Sequence, residues 1–326
     1  MTTAAVILAA GQGTRMKSSL PKVLHPLNGK PMLWHVMQPA LEAGSEKPVV
    51  VIGNGAEQVK DAIGADAADF VLQTERLGTG HAAQQAETLL SGSVDQVMVM
   101  YGDMPCWRPE TLRKIIQTQE TNTGPMTMAT IIVDDPRGFG RIQRDVEGTV
   151  LAIVEEAQCT EAQKKIKELN VGLYCFDAEW LWQALGKIQL SPKGEYYLTD
   201  TVELAVKDGG QVIAIPIEDP EEAIGVNTRV HLSEAEAVLR KRLNHAWMES
   251  GVTMTNPGHT YIEASVQIGK DTVIQPGTWL KGNTVIGEGC EIGPNTMITD
   301  STIGDDCTIL SSVLNQATVE NHVEIG

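Results

Sequence analysis

Arg15, Lys17 and Lys22 crowd into eight residues just after the glycines Gly11 and Gly13, in the stretch "VILAAGQGTRMKSSLPKVLHP". No Asp or Glu precedes Glu42, so the first forty-one residues carry four cationic side chains and no anionic one. Glycines let backbone N–H groups approach an anion closely, and lysine and arginine neutralise the charge gathered there. Phosphate binding is the chemistry that this combination serves, with Arg15 and Lys22 as clamps. The loop is not a dinucleotide fingerprint, because the third glycine is absent and no acidic residue stands near twenty positions on to hold a ribose. Nor does a G-K-[ST] sequence close it as in the common nucleoside-triphosphate loop. A second group capable of chemistry is Asp103, which leaves the apolar run "VMVMYGD".

These residues need a scaffold that brings position 11 near position 103. The runs "AAVILAA", "KPVVVIG", "ADFVLQT" and "DQVMVMYGD" read as strands, separated by helical patterns at 32–43, 57–63, 81–90 and 109–119. That alternation is the βαβ rhythm of an α/β sheet with helices on both faces. From "GPMTMATIIVDD" to "LAIVEEA" strands follow one another without helices, so antiparallel pairing joins and the sheet is expected to be mixed. Ligands of such sheets bind beyond the carboxyl ends of the strands, where the glycine loop and "YGD" both fall. The pattern at 229–250 predicts a long connecting helix that starts after Asn227 or Thr228 and stops before Gly251. Beyond it Ile262, Ile268, Ile274, Leu280, Ile286, Ile292 and Ile298 recur every six residues, and Ile303, Ile309, Val319 and Ile325 continue at shorter spacing. Hexapeptide repeats of this kind wind into a parallel β-helix with the apolar residue inside each coil. The expected organisation is therefore a catalytic domain over 1–228, a connecting helix over 229–250 and a β-helix over 251–326.

A chain of 326 residues exceeds one ordinary core, and its net charge of −17 repels nucleic acid and anionic membranes. Neither a signal-peptide pattern nor a membrane-length apolar run is present, which predicts a cytoplasmic protein. Five cysteines without C-x-x-C spacing predict free thiols rather than disulfides or a thiolate zinc site.

"LAAGQGTRM" followed by "LPKVLHPLNGKPM" resembles the sugar-1-phosphate nucleotidyltransferases. With "QTERLGTGHA", "YGDMP", "GFGRI", "IVEE", "ELNVG", "GEYYLTD", "GVNTR" and the hexapeptide coils, the whole chain is similar to one bifunctional family. That family joins an N-acetylglucosamine-1-phosphate uridylyltransferase, with a Rossmann-like mixed sheet, to a left-handed β-helix glucosamine-1-phosphate acetyltransferase. The resemblance implies that Leu8, Ala9, Ala10 and Gly11 cradle the uridine beside Tyr101 and Gly102, while Gln73, Gly78 and Thr79 read the uracil edge. It implies that Arg15 and Lys22 hold the triphosphate and that Asp103 and Asn227 bind Mg²⁺, a hard cation suited to a carboxylate, an amide oxygen, phosphates and water. Gly140, Glu155, Asn170 and Thr199 fall at or near its sugar-contacting positions. Phe139 stands where the family often has Tyr, and Val171 where Thr is common.

The expected reaction is Mg²⁺-dependent uridylyl transfer from UTP to N-acetylglucosamine 1-phosphate, giving UDP-N-acetylglucosamine and pyrophosphate for cell-wall and lipopolysaccharide precursors. Its nucleophile is a phosphate already ionised at neutral pH, so no Ser-His or Cys-His pair is needed. Competing expectations are a transferase for another nucleotide or sugar phosphate, and a catalytically silent regulatory subunit, which would be marked by loss of residues such as Lys22 or Asp103. The family association implies a homotrimer through the β-helix. "VEIG" opens a hexapeptide that nothing closes, so the chain is expected to be C-terminally truncated. In the family, the acetyl-transfer sites come from later coils and the tail. These residues are therefore expected to make the nucleotide sugar and transfer no acetyl group.

Overall fold

Thr3–Leu8 (β1) forms the middle of a nine-stranded mixed sheet in a computed structural model that describes residues 1–326. Its first five side chains are buried, which is why the run is apolar without alternation: both faces are covered. Met32–Glu42 (α1), Glu46–Ile52 (β2), Ala56–Ile63 (α2), Asp69–Leu72 (β3), Thr79–Gln84 (α3) and Gln96–Tyr101 (β4) complete the βαβ part. β1 runs parallel to both β2 and β4, and β2 runs parallel to β3. Leu8 lies opposite Tyr101 and Val51, and Ile52 opposite Leu72. The loops after all four strands therefore leave from one edge.

Pro109–Thr121 (α4), Met126–Ile132 (β5), Arg141–Arg144 (β6), Val150–Val154 (β7), Glu168–Asp177 (β8), Ala178–Leu185 (α5), Asp200–Lys207 (α6) and Val212–Pro216 (β9) follow. The strand order is β9-β5-β8-β4-β1-β2-β3, with β6 pairing β8 and β7. β8 is antiparallel to both β4 and β5, as the run of strands without helices predicts. Ala5 and Ile7 join Leu33, Val36 and Met37 on one face, while Ala4 and Val6 join Ala82, Ala83 and Trp182 on the other. The helical pattern at 81–90 is not one helix: α3 begins at Thr79, and a separate short turn covers Glu87–Leu90. Long-range backbone pairing sets that start, since Gly80 N donates to Tyr196 O at 2.8 Å and Tyr196 N to Leu77 O at 2.7 Å.

By contact density the chain divides into two compact units, Met1–His25 with Pro31–Arg229, and Pro26–Lys30 with Val230–Gly326. The second unit contains a helix, Arg229–Glu249 (α7), less its first residue, followed by parallel β-coils. It also claims Pro26–Lys30, which sequence pattern gave no sign of: Asn28 N donates to Glu236 Oε2 at 2.8 Å, and Ala264 N donates to Asn28 O at 2.9 Å. Three parallel sheets make the sides of the coils. Ile262, Leu280, Ile298 and Leu314 stack on one side, and Ile268, Ile286, Ile303 and Val319 on another. Ile274, Ile292, Ile309 and Ile325 stack on the third, and most of these rows are buried. Successive coils shorten, from 18 residues between Thr272 and Cys290 to 17 between Glu288 and Asp305 and 16 between Ser301 and Ala317. At one corner Thr272 Oγ1, Cys290 Sγ and Cys307 Sγ each donate to a carbonyl of the next coil, at 2.9, 3.1 and 3.0 Å. All five cysteines are free. On one outer side Tyr261, Trp279, Met297 and Val313 stand in register, the two rings stacked 3.9 Å apart.

Candidate active site

The loop after β1 is built around Gly13, whose φ of +62° is a left-handed conformation open to glycine, and a Cβ there would sit 2.6 Å from Lys22 Cβ. This close approach seats Lys22, which opens the short turn Lys22–Leu24. Lys22 Nζ lies 2.5 Å from Asp103 Oδ2 and 3.3 Å from Asn227 Oδ1. Arg15 Nη2 donates to the same Asn227 oxygen at 2.9 Å. Asn227 is brought there because Val226 N donates to Asp103 O at 2.8 Å. Residues from positions 15, 22, 103 and 227 thus meet at one point.

That arrangement tests whether the site suits a metal. Two hard oxygens, one carboxylate and one amide, converge on a single cationic group, the Lys22 ammonium, so the donor chemistry fits an Mg²⁺-like ion. No group of three or more His, Cys, Asp or Glu side chains is placed to hold a metal ion, so such an ion would depend on phosphates and water for its remaining ligands.

Beside this cluster opens a cavity of about 460 Å³, lined by Leu8, Ala9, Ala10, Gly11, Lys22, Gln73, Gly78, Thr79, Tyr101, Asp103 and Glu155 among others. Gly102 N donates to Leu8 O at 3.0 Å and ties the ends of β1 and β4 together beneath it. Gln73 Nε2 donates to Gly78 O at 3.1 Å, and Thr79 Oγ1 accepts from Leu198 N at 3.0 Å. Glu155 Oε1 accepts from Thr199 Oγ1 at 3.0 Å. Asn170 N donates to Gly140 O at 2.9 Å, while Asn170 Oδ1 accepts from Gly172 N at 3.1 Å and from the Tyr174 hydroxyl at 2.9 Å. Arg15, Gly102, Thr199 and Asn227 thus reach the cavity through bonded neighbours rather than as lining, whereas Gly140 bonds to Asn170, and Asn170 to Gly172 and Tyr174, outside the lining.

Burial, with the Glu155 carboxylate next in weight, pushes the Tyr101 hydroxyl far above the usual tyrosine range. The Tyr174 hydroxyl is also pushed far up, by burial and then by Tyr101. Both stay protonated at neutral pH, and the Tyr174 hydroxyl donates to Asn170 Oδ1. Asp200 is pushed up to about 6 by burial and by the Glu203 and Glu155 carboxylates.

A larger cleft of about 1140 Å³ lies at the opposite strand ends, around Asp95, Gln96 and Asp177. Glu87, Asp95, Glu120, Asp177, Glu179 and Asp208 line it without any Lys or Arg, so it repels phosphate. The smaller cavity is the candidate site.

The nucleotidyl transferase family model matches residues 4–252, and the six-repeat bacterial transferase hexapeptide model matches 283–314. Bifunctional protein GlmU of Caldanaerobacter subterraneus subsp. tengcongensis is 48% identical over 322 residues, covering 98% of this chain and 70% of that protein. The chain belongs to the GlmU family. Another GlmU, from Heliobacterium modesticaldum, is 45% identical over 323 residues, 99% of this chain and 70% of its own length. In fold the chain is similar to a UDP-glucose pyrophosphorylase solved with UDP-glucose, at TM-score 0.60 and 20% identity, covering 74% of this chain and 100% of that one.

Against this GlmU framework, the residues that sequence reasoning left unassigned are Arg76, Glu195 and Tyr197, which line the cavity, and Tyr174, which holds Asn170. Arg76 sits within "QTERLGTGHA", and Glu195 and Tyr197 within "GEYYLTD", so the motif carried the signal without assigning each residue. Tyr174 gave none, being one apolar-looking residue of a buried strand.

Proposed function

We propose that this chain transfers the uridylyl group of UTP to N-acetylglucosamine 1-phosphate, releasing pyrophosphate and UDP-N-acetylglucosamine as a cytoplasmic step toward cell-wall precursors. Membership in the GlmU family supports nucleotidyl transfer to a sugar phosphate, and the meeting of Arg15, Lys22, Asp103 and Asn227 at the mouth of the cavity carries the reading. A divalent cation, for which Mg²⁺ suits the oxygens of Asp103 and Asn227, supplies charge neutralisation to the phosphates when bound. Lys22 and Arg15 bind the triphosphate and stabilise the charge that gathers on the departing pyrophosphate. Backbone N–H groups of Ala10 and Gly11 orient the nucleotide, and Glu155 and Asn170 orient the sugar for in-line attack on the α-phosphorus. No residue has to remove a proton, since the attacking phosphate is ionised at neutral pH. The same reading makes the protein a homotrimer, supported by the in-register outer row Tyr261, Trp279, Met297 and Val313 on the β-coils. The test is pyrophosphate release with UTP, N-acetylglucosamine 1-phosphate and Mg²⁺; no release above a control without the sugar phosphate rejects the proposal.

A further inference from the structure

Gln73 is the buried side chain of the cavity whose two ends differ in hydrogen-bonding sign, and its orientation is fixed from behind. Its Nε2 lies 3.1 Å from Gly78 O and 3.1 Å from His81 Nδ1. An amide nitrogen has two hydrogens, and these two partners take both. The Gly78 oxygen can only accept, so the reversed amide would set two acceptors against each other. His81 must then accept at Nδ1 and carry its proton on Nε2. On its other side, Gln85 Nε2 lies 3.2 Å from His81 Nε2 and 2.9 Å from His81 O. A neutral imidazole accepts at only one nitrogen. Gln73 is 7% exposed and pinned by Gly78, whereas Gln85 is half-buried just past the end of α3, so Gln85 is the amide that gives way, its nitrogen staying on His81 O and its second hydrogen turning off the Nε2 proton.

We infer that His81 is a positioning residue for base selection: by accepting from Gln73 it commits both amide hydrogens and leaves Oε1 as the group offered to the cavity. An oxygen there accepts from a base with a ring N–H, as uracil has at N3. At the same position cytosine presents a lone pair, which that oxygen repels. The inference rests on reading the cavity as a uridine-nucleotide site. His81 does not line the cavity, so it acts through Gln73.

The experiment compares the parent, His81→Leu, His81→Asn, Gln73→Leu and the Gln73→Leu/His81→Leu double variant, measuring kcat and KM for UTP and CTP with N-acetylglucosamine 1-phosphate. Losing the acceptor behind Gln73 is expected to lower the UTP-to-CTP ratio of kcat/KM about tenfold, through KM for UTP rather than kcat, the scale of one hydrogen bond. His81→Asn, whose Oδ1 falls near the place of Nδ1, is expected to keep the ratio. In the Gln73→Leu background, adding His81→Leu is expected to change the ratio less than about twofold, because the two act as one unit. A His81→Leu ratio equal to the parent's overturns the inference, as does a His81→Asn loss as large as that of His81→Leu. Should His81→Leu fail to fold, His81→Met supplies the apolar comparison and the same ratios decide. A parent without preference for UTP overturns the uridine reading and the inference together; a parent that prefers UTP with a ratio that survives His81→Leu overturns the inference alone.

Discussion

At the 2.5 Å contact between Lys22 and Asp103, the cation and the carboxylate that sequence reasoning gives to different tasks neutralise each other. Both side chains are largely shielded, so little water screens the pair from whatever phosphate arrives. Lys22→Ala or Arg15→Ala is expected to lower kcat by about 10² to 10⁴, the scale of losing a preorganised charge at a developing anion, in steady-state pyrophosphate release. Unchanged turnover would remove that residue from the reaction. Asp103→Asn keeps an oxygen near Lys22 and loses a charge, so its activity is expected to need a higher Mg²⁺ concentration, read as a shifted midpoint in a metal titration. Asp200 gives a stability test. Its folded pKa of about 6 lies above the ordinary 3.8, so between those values the unfolded chain ionises while the folded one resists, and stability falls as pH rises through that window. Because the carboxyl is only half-buried, the full shift is discounted. Asp200→Asn is expected to raise stability by about 1 kcal/mol at pH 8 and by nothing near pH 3.5, checked by urea denaturation at both pH values. Arg15, Lys22 and Asp103 were legible because each stands in a local pattern of glycine, charge or apolar run. The environment of Asp200 was not, since Glu155 reaches it from forty-five positions away.

Gly172 decides how strand β8 delivers Asn170. The register against β5 shifts between Asn170 and Tyr174, and Gly172 turns there with φ of +69°. A Cβ on it would lie 2.3 Å from the Tyr101 ring. Gly172→Ala combines a left-handed alanine with a collision against a packed ring, and is expected to destabilise by about 2–4 kcal/mol, read from the denaturation midpoint. It should also raise KM for the sugar phosphate, because Asn170 Oδ1 loses its place against Gly172 N. Strands were legible as elements: the apolar runs around Val6, Val50 and Val99 became neighbours in one sheet. Their details were not, since the start of α3 depends on Tyr196 and the shift in β8 on Tyr101, partners far along the chain.

At the scale of the whole molecule, the hexapeptide period read from Ile262 onward became stacked coils with those residues inside, because a fixed period needs no knowledge of distant partners. The outer row at Tyr261, Trp279, Met297 and Val313 leaves Val313 78% exposed, and Trp279→Lys is expected to shift a trimer toward monomer in sedimentation. Sedimentation as a monomer before any substitution would sink the trimer. The strand order has a consequence for how the chain is made. β1 leaves a ribosome well before its partner β4, and β4 in turn waits for β8. At about 5–20 residues per second, the sheet lacks its last strand, β9, for roughly ten to forty seconds, whereas each β-coil docks on a neighbour that emerged about a second or a few seconds earlier. Newborn copies therefore carry one apolar, unpaired edge of "AAVILAA" until the residues up to Tyr101 have emerged, and that stretch is where a holding chaperone would bind in the interval.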